Sequence, residues 1–441
     1  MRLKMITLLM LLISLPVVAS ATKLQEATFK NGVKLIVDVD HSAPVAMVQI
    51  WLKVGGRDEV PGKSGLAHVL EHMMFKGSKK LGPSKFSQLI AAMGGNDNAF
   101  TTTDYTAYFE TVPSDKVTEV LGLEAERFAN LALRKKDFKK EIRVIMEERR
   151  MRTDDDPNSH MFELLSATTL LLHPYRNPVI GWMQDLKRLN IKDVRAFYRK
   201  HYVPGNVTVV IVGDVDFAKV KQTVAGTFGR LKPRPVGVRF NPVEPAPLGP
   251  KRILVRLPAK LPMLAVMIPV PVWKPGHNDK ETAALAVATQ ILSGGRSALL
   301  QQKLVDQQRR AFSVGAGYDP FGMGLDLWYA YGMLGPKQPA AAFEKSLWAL
   351  LGNMAQHPVT AARLAAAKRN IVAAEVFAQD SLYLRAKEIG RMEVSGIGAD
   401  HRDAWLKAIR AVSAADVQAA VARWLKHDRS TTGTLMPEVK S

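Results

Sequence analysis

His68-Val69-Leu70-Glu71-His72 is the stretch on which the reading of this chain turns. On an α-helix, residues three and four apart share a face, so His68 and His72 become neighbours and Glu71 sits beside both. Two imidazoles so placed can each offer a nitrogen to Zn²⁺ at roughly 2.0–2.1 Å; a catalytic zinc takes a third protein ligand and keeps one position open. A carboxylate in the same turn can accept a proton from water that the metal makes acidic. The order H-x-x-E-H reverses the commoner H-E-x-x-H and is one of the zinc-peptidase signatures. Without a metal, the same residues read as two histidines and a solvated glutamate on an amphipathic helix.

A third ligand must come from elsewhere, and the segment from Lys139 to Arg150 offers carboxylates on a helix-forming background. Glu141, Val144, Ile145 and Glu148 fall at i, i+3, i+4 and i+7, which predicts one shared face. Acidic side chains on a partly apolar face are costly unless something positive meets them. From this segment alone, a solvated helix laced with ion pairs is the better reading.

The longer run Gly65-Leu66-Ala67-His68-Val69-Leu70-Glu71-His72-Met73-Met74-Phe75-Lys76-Gly77 resembles the zinc-site signature of the pitrilysin/insulinase family, which includes the mitochondrial processing peptidase. In that family a Glu about 76 residues after the second His completes the site, and another Glu precedes it by seven. Those positions here are Glu148 and Glu141. The resemblance implies one Zn²⁺ per chain held by His68, His72 and Glu148, with Glu71 as catalytic base and Glu141 orienting the site. Glu147 is the competing ligand, and His and Glu donors would also suit Mn²⁺ or Co²⁺. Gly94-Gly95-Asn96-Asp97-Asn98-Ala99-Phe100-Thr101 resembles the family's strand beside the zinc, which implies that Asn98 and Ala99 hold the substrate backbone. His173-Pro174-Tyr175 and Tyr202-Val203-Pro204-Gly205-Asn206 are family-like as well. As residues they are ordinary turn chemistry leading into the buried strand Val209-Val210-Ile211-Val212.

The chain reads as internally doubled. Prolines at 233, 235, 242, 245, 247 and 250 give residues 233–250 the composition of an extended linker. The first half opens with strand-like runs Val33 to Val39 and Val45 to Val54, and the second with Arg252 to Leu257 and Met263 to Val272. Each half closes on a helix and a strand: Asp193 to Lys200 before Val207 to Val212, and Asp416 to Leu425 before Ser430 to Leu435. This predicts a zinc-binding peptidase domain over residues 22–232, the linker 233–250, and a peptidase-like domain over 251–441. The expected class is α+β: two similar domains, each an antiparallel-rich sheet packed with helices, facing each other as the family's clamshell. Helix–strand alternation by itself would also permit a doubly wound parallel sheet.

In the second half, Ser293-Gly294-Gly295-Arg296-Ser297-Ala298-Leu299-Leu300 and Ala311-Phe312-Ser313-Val314 resemble the family's second-domain signature. Active members carry an Arg there and, seven residues later, a Tyr that supports the developing oxyanion. The corresponding positions are Val305 and Phe312, and neither side chain donates a hydrogen bond. Losing one such donor costs about 10²–10³ in rate, so a homologous subunit that lacks the zinc motif is expected to supply the pair.

Composition bounds the rest. With 441 residues, 47% of them hydrophobic, the chain can build real cores, and without cysteine it has neither disulfides nor thiolate ligands. Arg2 and Lys4, the apolar run from Ile6 to Val18, and Ala19-Ser20-Ala21 predict a signal peptide over residues 1–21, hence a periplasmic or secreted protein. No later stretch predicts a membrane span. The net charge of +20 invites a nucleic-acid reading, but the cations are scattered among acidic residues and aromatics are only 7%. An acidic partner, an anionic membrane surface or a solubilising role fits the charge better. The expected function is zinc-dependent cleavage of peptides or unfolded polypeptides; a noncatalytic scaffold or peptide-binding subunit with a structural zinc is the alternative.

Overall fold

The computed structural model describes residues 24–438; the expected signal segment lies outside the described residues. The first half contains strands β1 (Gln25–Thr28), β2 (Lys34–Val39) and β3 (Val45–Leu52), then helices α1 (Leu66–Met74) and α2 (Lys85–Ala92). Strands β4 (Asn96–Thr101) and β5 (Thr106–Pro113) follow, then helices α3 (Val117–Asn130), α4 (Lys135–Arg149), α5 (Pro157–Thr169), α6 (Met183–Leu186) and α7 (Ile191–His201). Strand β6 (Val207–Gly213) and helix α8 (Phe217–Gly226) complete it. The second half runs β7 (Lys251–Leu257), β8 (Met263–Pro271), α9 (Asp279–Ser293), β9 (Ser313–Gly317) and β10 (Leu325–Met333). Helices α10 (Ala340–Gln356), α11 (Ala361–Ala378), α12 (Leu382–Val394), α13 (Arg402–Ala411) and α14 (Ala414–Trp424) precede the last strand, β11 (Thr431–Pro437).

The strands form two mixed sheets, ordered β1-β2-β6-β3-β5-β4 and β7-β11-β8-β10-β9. In the first, β6 slots between β2 and β3, parallel to β2 and antiparallel to β3. In the second, β11 slots between β7 and β8 in the same way. The remaining neighbours are antiparallel. The doubling read from the sequence is therefore a repeated topology, and a doubly wound parallel sheet is excluded. Central position also explains the apolar run Val209 to Val212 in β6: Val207 to Gly213 is buried throughout, Thr208 included, as a strand covered on both faces must be.

What covers those faces was not readable locally. One face of the first sheet packs on its own helices, with Leu35, Val37, Val48, Ile50, Val209 and Ile211 against α1 and its neighbours. The opposite face, with Ile36, Met47, Trp51, Val210 and Val212, is covered by Ala386, Ile389 and Val394 of α12 from the second half. The second sheet receives α5 from the first half, whose Met161 and Leu165 pack near Met263, Ala265, Met267 and Leu435. The two halves thus exchange a helix. At the crossing, Gly390 lies so close to the buried Trp51 indole that a Cβ there would meet ring carbon at 2.1 Å. Arg385 of α12 ties the same contact to Asp38 at 2.6 Å and to Asp40 at 2.5 Å.

The Pro-rich segment 233–250 forms neither helix nor strand, and it is fastened to the rest of the chain by side-chain hydrogen bonds. Arg239 donates to both carboxylate oxygens of Asp58, at 2.9 and 2.7 Å, and to the Asp104 carbonyl at 2.7 Å. Glu244 accepts the amides of Leu171, Leu172 and His173 at 2.5, 2.9 and 2.7 Å. With the halves interlocked by α5 and α12 there is no gap to span, so the segment lies along the first half as a strap.

Candidate metal centre

The turn that enters α1 is built for glycine. Gly65 has φ of +89°, and a Cβ there would meet the Ile180 carbonyl at 2.8 Å. Glu59 then caps the helix, accepting the amides of Gly65 and Ala67, each at 2.8 Å, which satisfies donors that a helix start leaves unpaired. Leu66, Val69, Leu70 and Met73 of α1 enter the core. That registers the helix and turns His68, Glu71 and His72 together toward α4. On α4, Ile145 is buried and Glu141 and Glu148 face α1. Val144, predicted to share that face, is instead 51% exposed. Burying Ile145 between Glu141 and Glu148 centres the face on those three residues and leaves Val144 at the solvent edge.

The structure brings His68, His72 and Glu148 together, with one donor atom from each lying within 4.8 Å of the others. His68 Nε2 and His72 Nε2 stand 3.8 and 3.5 Å from Glu148 Oε2. Those separations are too long for hydrogen bonds. They are close to the spacing of roughly 3.3 Å expected between donors that share one tetrahedral ion at 2.0–2.1 Å. The donor set thus fits Zn²⁺. Burial, followed by the nearby His72 and Arg152, pushes His68 down to about 3, so its imidazole is held neutral, the state a metal ligand requires. Glu147, the competing ligand, points outward and pairs with Arg150.

Around these three lies a supporting set. His72 Nδ1 is 3.3 Å from Glu141 Oε2, an approach that directs Nε2 toward Glu148. Lys76 Nζ in turn holds Glu141 Oε1 at 2.7 Å, and Arg152 holds Glu148 Oε1 at 3.0 Å. Glu71 is buried, and burial raises its carboxyl above the ordinary range while the Thr101 hydroxyl, donating to Oε2, and then His72 oppose that rise. Lys76, Arg152 and Thr101 were missed in the sequence. Lys76 lies four residues after His72, a spacing that could have found it; nothing local pointed to Thr101 or Arg152.

Asn98 and Ala99 lie in β4, the outer strand of the first sheet, paired with Phe109 and Tyr108 of β5. Alternation puts them on opposite faces. Ala99 packs toward the core that contains α1, whereas Phe100, which shares Asn98's face, packs toward α12. Asn98 is exposed, and its side-chain oxygen accepts the Ala99 amide at 2.8 Å. The structure does not bring the Asn98 side chain into the metal cluster. Val305 and Phe312 do come together, in the wall of a cavity of about 530 Å³ that Arg309, Ala311, Pro336 and Gln338 also line. Phe312 is 66% exposed there.

Residues 34–182 match the family model described as Insulinase (Peptidase family M16), and residues 188–371 match the model described as Peptidase M16 inactive domain. The chain is 33% identical to the zinc protease PqqE of Helicobacter pylori, over 79% of this chain and 78% of that protein. A crystal structure of a protease from Helicobacter pylori superposes with a TM-score of 0.88 at 29% identity, covering 94% of this chain and 100% of that one. The periplasmic protease PqqL of Escherichia coli shares the fold, with a TM-score of 0.76 at 17% identity; 94% of this chain corresponds to 47% of that longer one. Among the described residues, no helix is long and apolar enough to cross a membrane.

Proposed function

The chain belongs to the M16 (insulinase and pitrilysin) family of zinc proteases, and from that premise we propose that it is an endopeptidase for extended peptides or unfolded polypeptides. The convergence of His68, His72 and Glu148 beside a buried Glu71 carries the reading. One Zn²⁺ bound there would supply Lewis acidity to a peptide carbonyl and to water. Glu71, held through one oxygen by Thr101, accepts the proton of the attacking water and returns it to the leaving amine. Glu141 orients His72. Substrate adds as a further strand at the outer edge of β4, with the Asn98–Ala99 backbone as its partner, so recognition rests on main-chain hydrogen bonds.

The ligand assignment makes a graded prediction. Glu148→Gln should weaken zinc binding by more than about 100-fold, and Glu141→Gln by about 10–100-fold. Glu147→Gln should leave it unchanged. Competition with a coloured chelator reads all three.

We place the clamshell between two chains. The helix exchange binds the halves of this chain to each other, and its fold matches about half of PqqL, which supports a second chain closing the chamber. That chain is a homologous subunit providing the Arg and Tyr that Val305 and Phe312 cannot replace. On this reading residues 22–232 form the metal-bearing domain and 251–441 the second, with 233–250 as the strap, and the periplasm is the site of action. Cleavage of dye-labelled casein by the purified chain should rise at least about tenfold when a zinc-motif-lacking homologue is added. Equal rates with and without it would remove the heterodimer from this reading.

A further inference from the structure

We infer that Thr101 is a positioning residue for the catalytic base: its hydroxyl fixes the Glu71 carboxylate, and a turn anchored by both halves of the chain fixes Thr101. The inference rests on the assignment of Glu71 as the base. Thr101 is the last residue of β4, paired with Thr106 of β5, and donates to Glu71 Oε2. A buried carboxylate beside a metal centre has several rotamers within reach, and a hydroxyl from a neighbouring strand selects one of them.

The strand end that carries Thr101 is held from every side. Within the turn, the Thr102 hydroxyl donates to the Tyr105 carbonyl at 3.1 Å and accepts the amides of Asp104 and Tyr105 at 3.2 and 3.1 Å. From the loop before α1, the amides of Gly56 and Arg57 donate to the carbonyls of Thr102 and Thr103 at 3.0 and 2.9 Å. From the strap, Arg239 reaches the Asp104 carbonyl at 2.7 Å. The Asp104 carboxylate, in a residue 5% exposed, takes the Arg57 guanidinium at 3.2 Å, the Tyr175 hydroxyl, and the amide of Met323 from the second half at 3.3 Å. Arg57 also donates to the Met323 carbonyl at 3.1 Å. Four separate segments of chain therefore converge on one tight turn, one residue beyond the hydroxyl that touches the base. Such over-determination fixes a side chain more tightly than its own rotamer preference would.

Thr101→Val keeps the branched shape and removes the hydroxyl; Thr101→Ser keeps the hydroxyl and removes the methyl group. The full chain, with its partner subunit if cleavage requires one, is assayed on an internally quenched peptide that the wild type cleaves. Thr101→Val is expected to lower kcat by about 10–10²-fold, the scale of a misplaced catalytic group, with KM, zinc content and thermal midpoint close to wild type. Thr101→Ser is expected to stay within about threefold of wild type in kcat, because the donor is retained. Wild-type kcat in Thr101→Val, or an equal loss in both variants, overturns the inference. Glu71→Gln is measured alongside: if that variant still cleaves, the base assignment itself has failed, whatever the Thr101 variants do.

Discussion

Glu71→Gln is expected to lower kcat/KM by about 10³-fold, near the middle of what a positioned general base contributes, while zinc content and peptide affinity stay at wild-type levels. The substitution is nearly isosteric, and the new amide oxygen can still accept the Thr101 hydroxyl, so the packing of this buried side chain is preserved. What is lost is basicity alone. Glu71 is outside the His68, His72 and Glu148 group, so its change should not release the ion. Peptide hydrolysis, metal analysis and binding of an uncleaved peptide to the variant form one experiment. Lost cleavage with retained metal and retained binding identifies Glu71 as the base. Lost metal would show that the side chain holds the site together instead. Wild-type protein that binds zinc and peptide but cleaves nothing, alone or with a partner, would favour the noncatalytic scaffold.

That experiment tests the portion of the site that was most legible in the sequence, and the reason is periodicity. His68, Glu71 and His72 lie within one helical turn, and Glu141, Ile145 and Glu148 within two, so each set is fixed by the geometry of a single helix. Placing the two sets opposite each other needed either the resemblance to a family or the fold itself. Val144 shows the limit of the pattern: i+3 from Glu141 is a neighbouring position, yet a narrow contact between α1 and α4 excludes it. Thr101 shows a different limit. Strand alternation puts it on Ala99's face, but only the packing of β4 against α1 decides that Glu71 is what it meets. The helix exchange was the least legible feature. Neighbouring buried residues such as Ile36 and Val37, or Val209 and Val210, announce a sheet covered on both faces, yet nothing in them says that the second cover is α12, some 170 to 350 residues away along the chain. What fastens the strap was hidden for the same reason, since Asp58 and the amides of Leu171, Leu172 and His173, which hold it, are distant in sequence.

The largest expected effect on stability comes from a residue with no part in the chemistry. Arg127 of α3 is 1% exposed, and it faces Glu124 of its own helix and Glu110 of β5, both 0% exposed. Its guanidinium lies 3.8 Å from the centre of the Phe86 ring, 4.9 Å from that of Tyr108 and 5.2 Å from that of Phe75. Phe75 is the C-cap of α1, so this buried cation forms part of the floor beneath the metal helix. Two carboxylates share one guanidinium; burial, and then Glu124, push Glu110 well above the usual carboxylate range. Arg127→Met keeps much of the apolar stem but strands both acids in a medium that cannot solvate them. The loss should be about 3–5 kcal/mol, the cost of breaking a buried ion pair from one side, measured as a shift of the urea midpoint at unchanged m-value. Adding Glu110→Gln and Glu124→Leu to Arg127→Met should recover most of that loss, because replacing a buried ionic group by neutral side chains of similar volume is often neutral or stabilising. If Arg127→Met alone costs under about 1 kcal/mol, the trio is hydrated or already neutral rather than ionic. If the triple variant remains as weak as the single one, stacking of Arg127 on Phe86, Tyr108 and Phe75 outweighs its charge, and zinc affinity should fall in both variants because α1 has lost its floor.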